Sequence, residues 1–199
     1  MASNDRFALL LIPHRERLDS PFNINIEPGR RVTLPRGSSY DFVRYQVNGQ
    51  TSNRRKVAWQ GRYEAGDFYS GTRKEFVSNV TFRILPGLFV YTTTEFNAIA
   101  LPEASFNTRL YRVVPELQFT PFLTWVNNVQ HDTVSGVAGW QSRFRWIVRP
   151  GNDIYIVYTH NWLDDPLLAQ FATQDRRLST KALLHLPFLV SRVGGHRYE

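Results

Sequence analysis

Hydrophobic and polar residues alternate along most of the chain. Phe22, Ile24 and Ile26 are separated by Asn23, Asn25 and Glu27, and Val57, Trp59, Gly61 and Tyr63 by Ala58, Gln60 and Arg62. Val80, Phe82 and Ile84 alternate with Thr81 and Arg83. Trp140, Phe144, Trp146 and Val148 alternate with Gln141, Arg143, Arg145 and Arg149. A period of two sends the two sets to opposite faces of a strand. It predicts strands at about 6–12, 21–27, 40–48, 55–63, 74–84, 88–98, 104–114, 117–130, 138–149 and 153–162, with a last one at about 178–190. Helical spacing is scarce. In "LDDPLLAQFATQDRR", residues 163–177, Asp164 or Asp165 suits a cap and Pro166 a first turn. That segment reads either as a short helix or as an ordered loop with one helical turn.

Turn chemistry punctuates the strands. Pro28-Gly29, Pro86-Gly87 and Pro150-Gly151 combine a preset φ with a residue free to take positive φ. Longer polar connections fall at 49–55, 69–75 and 127–136. Short turns alternating with long loops describe an up-and-down meander. The expected fold is therefore all-β, an antiparallel meander forming part or all of an outer-membrane-type β-barrel. It comprises one domain over residues 1–199, with 189–199 as a tail. Strand length supports the membrane alternative. Soluble strands usually have about 5–6 residues, whereas a tilted spanning strand needs about 9–11. Tyr91, Trp125, Trp140, Trp146, Tyr158 and Trp162 would then supply interfacial girdles, or else fill an ordinary β core.

Bulk properties narrow the chemistry. The chain has 199 residues, 42% hydrophobic and 14% aromatic, with no cysteine, which excludes disulfides and thiolate metal sites. Mean hydropathy is -0.35 and no apolar run reaches a helical membrane span. The N-terminal "MASNDRFALLLIPHRERL" has an acidic residue before a very short apolar run and is a poor signal peptide. Export is therefore expected to depend on a longer product. A net charge of +7 invites a nucleic-acid reading. The arginines are dispersed, however, and no recognition motif accompanies them, so nucleic acid is not an expected partner.

Candidate catalytic groups do not converge in the sequence. Glu75, Glu95, Glu103, Glu116, Asp132, Asp153, Asp164 and Asp165 carry no pairing signal for glycoside hydrolysis. Glu95, on a strand, is expected to face a lumen and balance arginines. The five histidines have no metal-ligand spacing, and no nucleophile elbow or phosphate loop is present. No catalytic residue, metal or cofactor is assigned. The arginines are more informative: Arg143, Arg145 and Arg149, with Arg83 and Arg109 or Arg112 on other strands, would line a lumen wall. Such a wall either binds anions, acidic sugars included, or balances charge in a wet barrel.

The ordered segments "LPRGSSYDF", "GDFYSGTRKE", "LPEASFNTRLYRVVPELQFTPFLTWVNNVQHD" and "SRFRWIVRPGNDIYIVYTHNW" together resemble the C-terminal outer-membrane β-barrel region of the bacterial DUF5916 family. Arg145, Trp146, Arg149, Pro150, Gly151, Asp153, Val157 and Tyr158 match its arginine-aromatic strand, turn and apolar strand. The resemblance covers about residues 15–188. It implies an outer-membrane location, contact with lipid and a link to carbohydrate handling. The implied partners are a saccharide or another anionic ligand, together with an N-terminal barrel portion or carbohydrate-binding-like domain if the gene is split. It carries no catalytic residues over. The resulting expectation is a non-enzymatic barrel protein or fragment that anchors, or passes ligands for, a carbohydrate-handling system. The alternatives are a soluble β-sandwich or lipocalin-like module for sugars or lipids, and a glycoside hydrolase.

Overall fold

The computed structural model describes residues 4–27, 30–165 and 170–184. Ten strands form one antiparallel sheet: β1 (Arg6–Arg17), β4 (Ser39–Gln50), β5 (Val57–Phe68), β6 (Gly71–Leu85), β7 (Leu88–Ala100), β8 (Ser105–Thr120), β9 (Leu123–Asp132), β10 (Val137–Arg149), β11 (Asn152–Asp165) and β12 (Gln170–Leu183). Each pairs with its neighbour in this order. The remaining strands, β2 (Phe22–Glu27) and β3 (Arg30–Leu34), form a separate hairpin between β1 and β4. The sheet is an up-and-down meander with β1 and β12 as its edges. Among the described residues it is not closed, which is consistent with part of a barrel.

The sheet strands run from 10 to 16 residues. Three turns at one end share a device. Leu85-Pro86-Gly87-Leu88, Thr120-Pro121-Phe122-Leu123 and Arg149-Pro150-Gly151-Asn152 each follow a register shift, between Arg83 and Leu85, Gln118 and Thr120, and Ile147 and Arg149. The extra residue adds local twist before the chain reverses. Gly87 and Gly151 take φ of 81° and 86°, as the position after a turn proline favours. The start of β1 and the end of β12 lie at this same end, since Arg6 pairs with Gln50 and Leu183 with Asp153. The other end carries the connections at 101–104 and 133–136, the tight turn at 69–70 and the β2–β3 hairpin.

Several expectations change. Residues 163–177 are not helical where described: β11 runs on to Asp165 and β12 begins at Gln170. Cross-strand pairing with β10 and β11 satisfies their backbone, which overrides a marginal local helix signal. The break between the eighth and ninth strands falls at Pro121-Phe122, not near residue 116. Pro115 sits inside β8, where the ladder to β9 passes over Val114 and Pro115, so its missing N–H costs no bond. The short β3 has no counterpart in the expected strands. The turn at Pro28-Gly29, the last strand beyond Leu184, and the tail at 189–199 lie outside the described residues.

Register assigns two faces. One carries Val57, Trp59 and Tyr63 of β5, Phe76, Val80 and Phe82 of β6, Tyr111, Val113 and Leu117 of β8, Trp125 and Val129 of β9, Trp140, Phe144 and Trp146 of β10, and Ile154, Ile156 and Tyr158 of β11. No second sheet covers it among the described residues. Among the described residues, seven hydrophobic side chains are buried and 28 large ones are exposed, mostly on this face. A patch of that extent marks an interaction surface. Indole N–H groups on it are satisfied within it: Trp59 donates to Ser78 Oγ (3.0 Å), Trp125 to Ser142 Oγ (2.8 Å) and Trp140 to Asn127 Oδ1 (3.2 Å). Tyr91 departs from the expected girdle and stands on the opposite face, beside Phe89.

The compact core is small and lies at the long-loop end. Ile24, Val32 and Leu34 of the hairpin bury against Leu18 and Leu101, with Tyr40, Phe68, Tyr69, Ile99 and Phe106 around them. These partners belong to β4, β5, β7 and β8 or to their adjoining turns. Tyr40, Phe68, Ile99 and Phe106 share the polar face of the sheet, so the hairpin packs across that face. Close backbone approach supports the same end: a Cβ at Gly71 would lie 1.9 Å from the Ala100 carbonyl oxygen. Gly71→Ala is expected to cost about 1–3 kcal/mol or more, because backbone rather than a mobile side chain must give way. A denaturant titration of the folded protein measures it, and an unchanged midpoint would contradict this packing.

Candidate functional site

The polar face is the site with convergent chemistry. On β4 it presents Arg44, Gln46, Asn48 and Gln50, on β5 Gln60, Arg62 and Glu64, and on β6 Arg73, Glu75, Asn79 and Arg83. Alternation puts each set on one side of its strand, and antiparallel register lays the sets next to one another.

Its upper part is a charge cluster. Glu64 and Glu75 are directly opposite across the β5–β6 ladder, and both are buried. Like charges so placed repel, and three guanidiniums offset them. Arg44 pairs with Glu64 at 3.3 Å, and Arg62 and Arg73 pair with Glu75 at 3.1 and 2.9 Å. Arg73 also donates to Asn97 Oδ1. Phe42 and Phe68 lie under Arg44, and Phe68 under Arg73, at 4.8 to 5.6 Å from the ring centres, a geometry that favours the cations. Tyr69, in the turn above, has φ of 51° and hydrogen-bonds Glu16 at 3.3 Å. Burial raises its hydroxyl above the ordinary phenol range, and the Glu16 charge adds to this.

Below the cluster lies an open groove of about 540 Å³ lined by Gln46, Asn48, Gln50, Gln60, Arg62, Glu75, Asn79 and Glu95. Side-chain amides dominate it, each offering both a donor and an acceptor. A second hollow of about 260 Å³ lies between β9, β10 and β11, with Asn128, Gln130, Asp132, Gln141, Thr159 and Asn161. Such walls suit solutes rich in hydroxyl groups. Paired carboxylates are also the geometry of glycoside hydrolysis. In Glu64 and Glu75, however, both are already held by arginine, and the pair reads as charge balance.

The five arginines expected to line a wall do not form one cluster. Arg143 and Arg145 share the polar face of β10, and Arg83 stands on the same face of β6, four strands away. Arg109 is on the apolar face, opposite Phe96 in the ladder and with its guanidinium 5.8 Å from that ring centre. Arg149 follows the register shift beside the Pro150-Gly151 turn, which breaks the alternation that Arg143 and Arg145 obey. Arg145 is engaged: it donates to Asp153 Oδ2 at 2.7 Å and packs against Tyr155, whose hydroxyl reaches the same carboxylate at 3.0 Å. This triad ties the two strands together across the turn. In the apolar run "IYIVY", Ile154, Ile156 and Tyr158 face outward, Tyr155 is covered by Arg145, and Val157 stands on the polar face opposite Arg143. Glu95 lies on the polar face. Glu64, Arg44, Arg62 and Arg73 were not singled out by sequence. Their signal is i, i+2 spacing of charges on neighbouring strands, which acquires meaning only with register.

Comparison of the chain with protein-family models, with curated proteins and with solved structures gives no match.

Proposed function

We propose that the chain is a non-enzymatic wall of an outer-membrane β-barrel, whose polar face anchors or passes hydroxyl-rich or anionic solutes for a saccharide-handling system. The observation that carries this reading is the uncovered apolar face over β5, β6 and β8 to β11, in a sheet whose strands are each at least 10 residues long. In water, that face would leave Trp146, Phe76 and Val113 exposed with no compensating partner. In hydrocarbon it is the matching surface, and strands of this length cross the apolar layer. The polar face supplies what a lumen needs, namely paired charges and side-chain amides. The resemblance of the "RFRWIVRPGNDIYIVYTHNW" region to an outer-membrane family points the same way.

The test is fractionation of the full-length gene product. Recovery in the outer membrane, with heat-modifiable migration in detergent and sugar efflux from loaded vesicles, is expected. A freely soluble monomer would overturn the reading. A barrel that leaks no sugar would overturn its solute-passing part.

A further inference from the structure

On the apolar face, a cation lies just above the hydrophobic band on two strands of the same region. Along β6 the outward residues run Ile84, Phe82, Val80, Ser78, Phe76 and then Lys74. Along β8 they run Phe119, Leu117, Pro115, Val113, Tyr111 and then Arg109. In each strand the apolar set spans eight residues, about 20 Å of depth for strands tilted by about 40°. That is close to the roughly 25 Å apolar band of a barrel, so both cations stand at its upper edge, at the long-loop end. Longer loops lie on the extracellular side of such barrels.

The surface between these two cations is recessed. Ala98 and Ala100 of β7 form the floor of a hollow of about 340 Å³, with Lys74 and Thr72 on one side and Ser105 and Asn107 on the other. Lys74, Thr72, Ser105, Asn107 and Arg109 are all exposed. The two cations are two strands apart and offset by two residues along the ladder, about 12 Å between their Cα atoms. Among the described residues neither is ion-paired to a carboxylate. Of the acids at the same rim, Asp41 pairs with Arg15 at 3.5 Å and Asp67 accepts from the Val43 N–H at 3.4 Å, while Glu103 stands exposed in the connection between β7 and β8. A cation, hydroxyls and an amide grouped at the edge of hydrocarbon match an anionic phosphate group carried on a lipid.

We propose that Lys74 and Arg109, with the hollow between them, bind the phosphorylated headgroup of an anionic lipid in the outer leaflet. This rests on the membrane reading of the chain. It gives Arg109 a role at the lipid surface in place of a lumen wall.

The test uses the full chain with vesicles of phosphatidylcholine alone or mixed with phosphatidylglycerol, at low ionic strength. The wild type is expected to prefer the anionic vesicles. K74Q/R109Q should reduce that preference about 30-fold, roughly fivefold per cation, while leaving insertion into phosphatidylcholine intact, and R109K should retain it. A preference unmoved by K74Q/R109Q overturns the site alone. So does an equal loss from R54Q/K56Q at the opposite rim, which would report total charge. Competition by millimolar inorganic phosphate to the full extent would assign the hollow to free anions and overturn the lipid. Failure to enter either vesicle overturns the membrane reading and the site with it.

Discussion

Arginine at Val113 is expected to destabilise the protein in a bilayer by about 2–4 kcal/mol, against about 0–1 kcal/mol for arginine at Val57. Both residues are on the apolar face and exposed. They differ in depth: Val113 is near the middle of β8, while Val57 opens β5 at the short-turn end. A cation at mid-depth must leave water or drag it inward, and one at the rim can extend to the headgroups. Val114→Arg, one residue along on the polar face, should cost less than Val113→Arg, since its side chain meets solvent and Glu116 stands on the same face. Urea titration of the three variants folded into vesicles measures the differences. A soluble sheet has no depth axis, so equal costs at positions 113 and 57 would count against the membrane reading.

Glu75→Ala should cost about 2–4 kcal/mol. Its side chain is 10% exposed and holds both Arg62 and Arg73. Removing it leaves two guanidiniums without that acceptor in a half-buried cluster, and desolvation makes the loss larger than at a surface pair. Relief of the repulsion with Glu64 offsets only part of this, because Arg44 already neutralises Glu64. The contrast is Arg15–Asp41, with side chains 80% and 71% exposed, where Asp41→Ala should cost about 0–1 kcal/mol. Equilibrium unfolding of the two variants separates the cases. Similar small costs would mean that water screens the Glu64–Glu75 cluster as it screens the rim.

Much of the wall was readable from alternation. Trp59, Phe82, Trp125 and Trp146 fall on the face that period two assigns them, because the pleat leaves no other choice once a strand forms. The break expected between residues 114 and 117 is absent, since the ladder passes over Val114 and Pro115 and resumes at Glu116. Pro121 makes the third of the three bulge-turn devices without a glycine to mark it. Segment 163–177 misled differently: its capping residues are local, and its partners on β10 and β11 are distant.

The candidate site was far less visible. Arg109 and Arg143 both sit among alternating residues, and nothing local tells that they face opposite sides of one sheet. That depends on counting register through every intervening turn, where one extra residue at a bulge exchanges the faces. Glu64 meets Glu75, and Lys74 shares a hollow with Ser105, only through cross-strand pairing. By itself, then, the sequence determined that this chain makes long two-faced strands joined in a meander, because strand periodicity and turn chemistry act over a few residues. Only the tertiary structure decided which charges meet, that the hairpin packs against the polar face, and that Arg109 points away from it. Those outcomes arise from contacts between residues far apart in the chain, set by a register that no short stretch encodes.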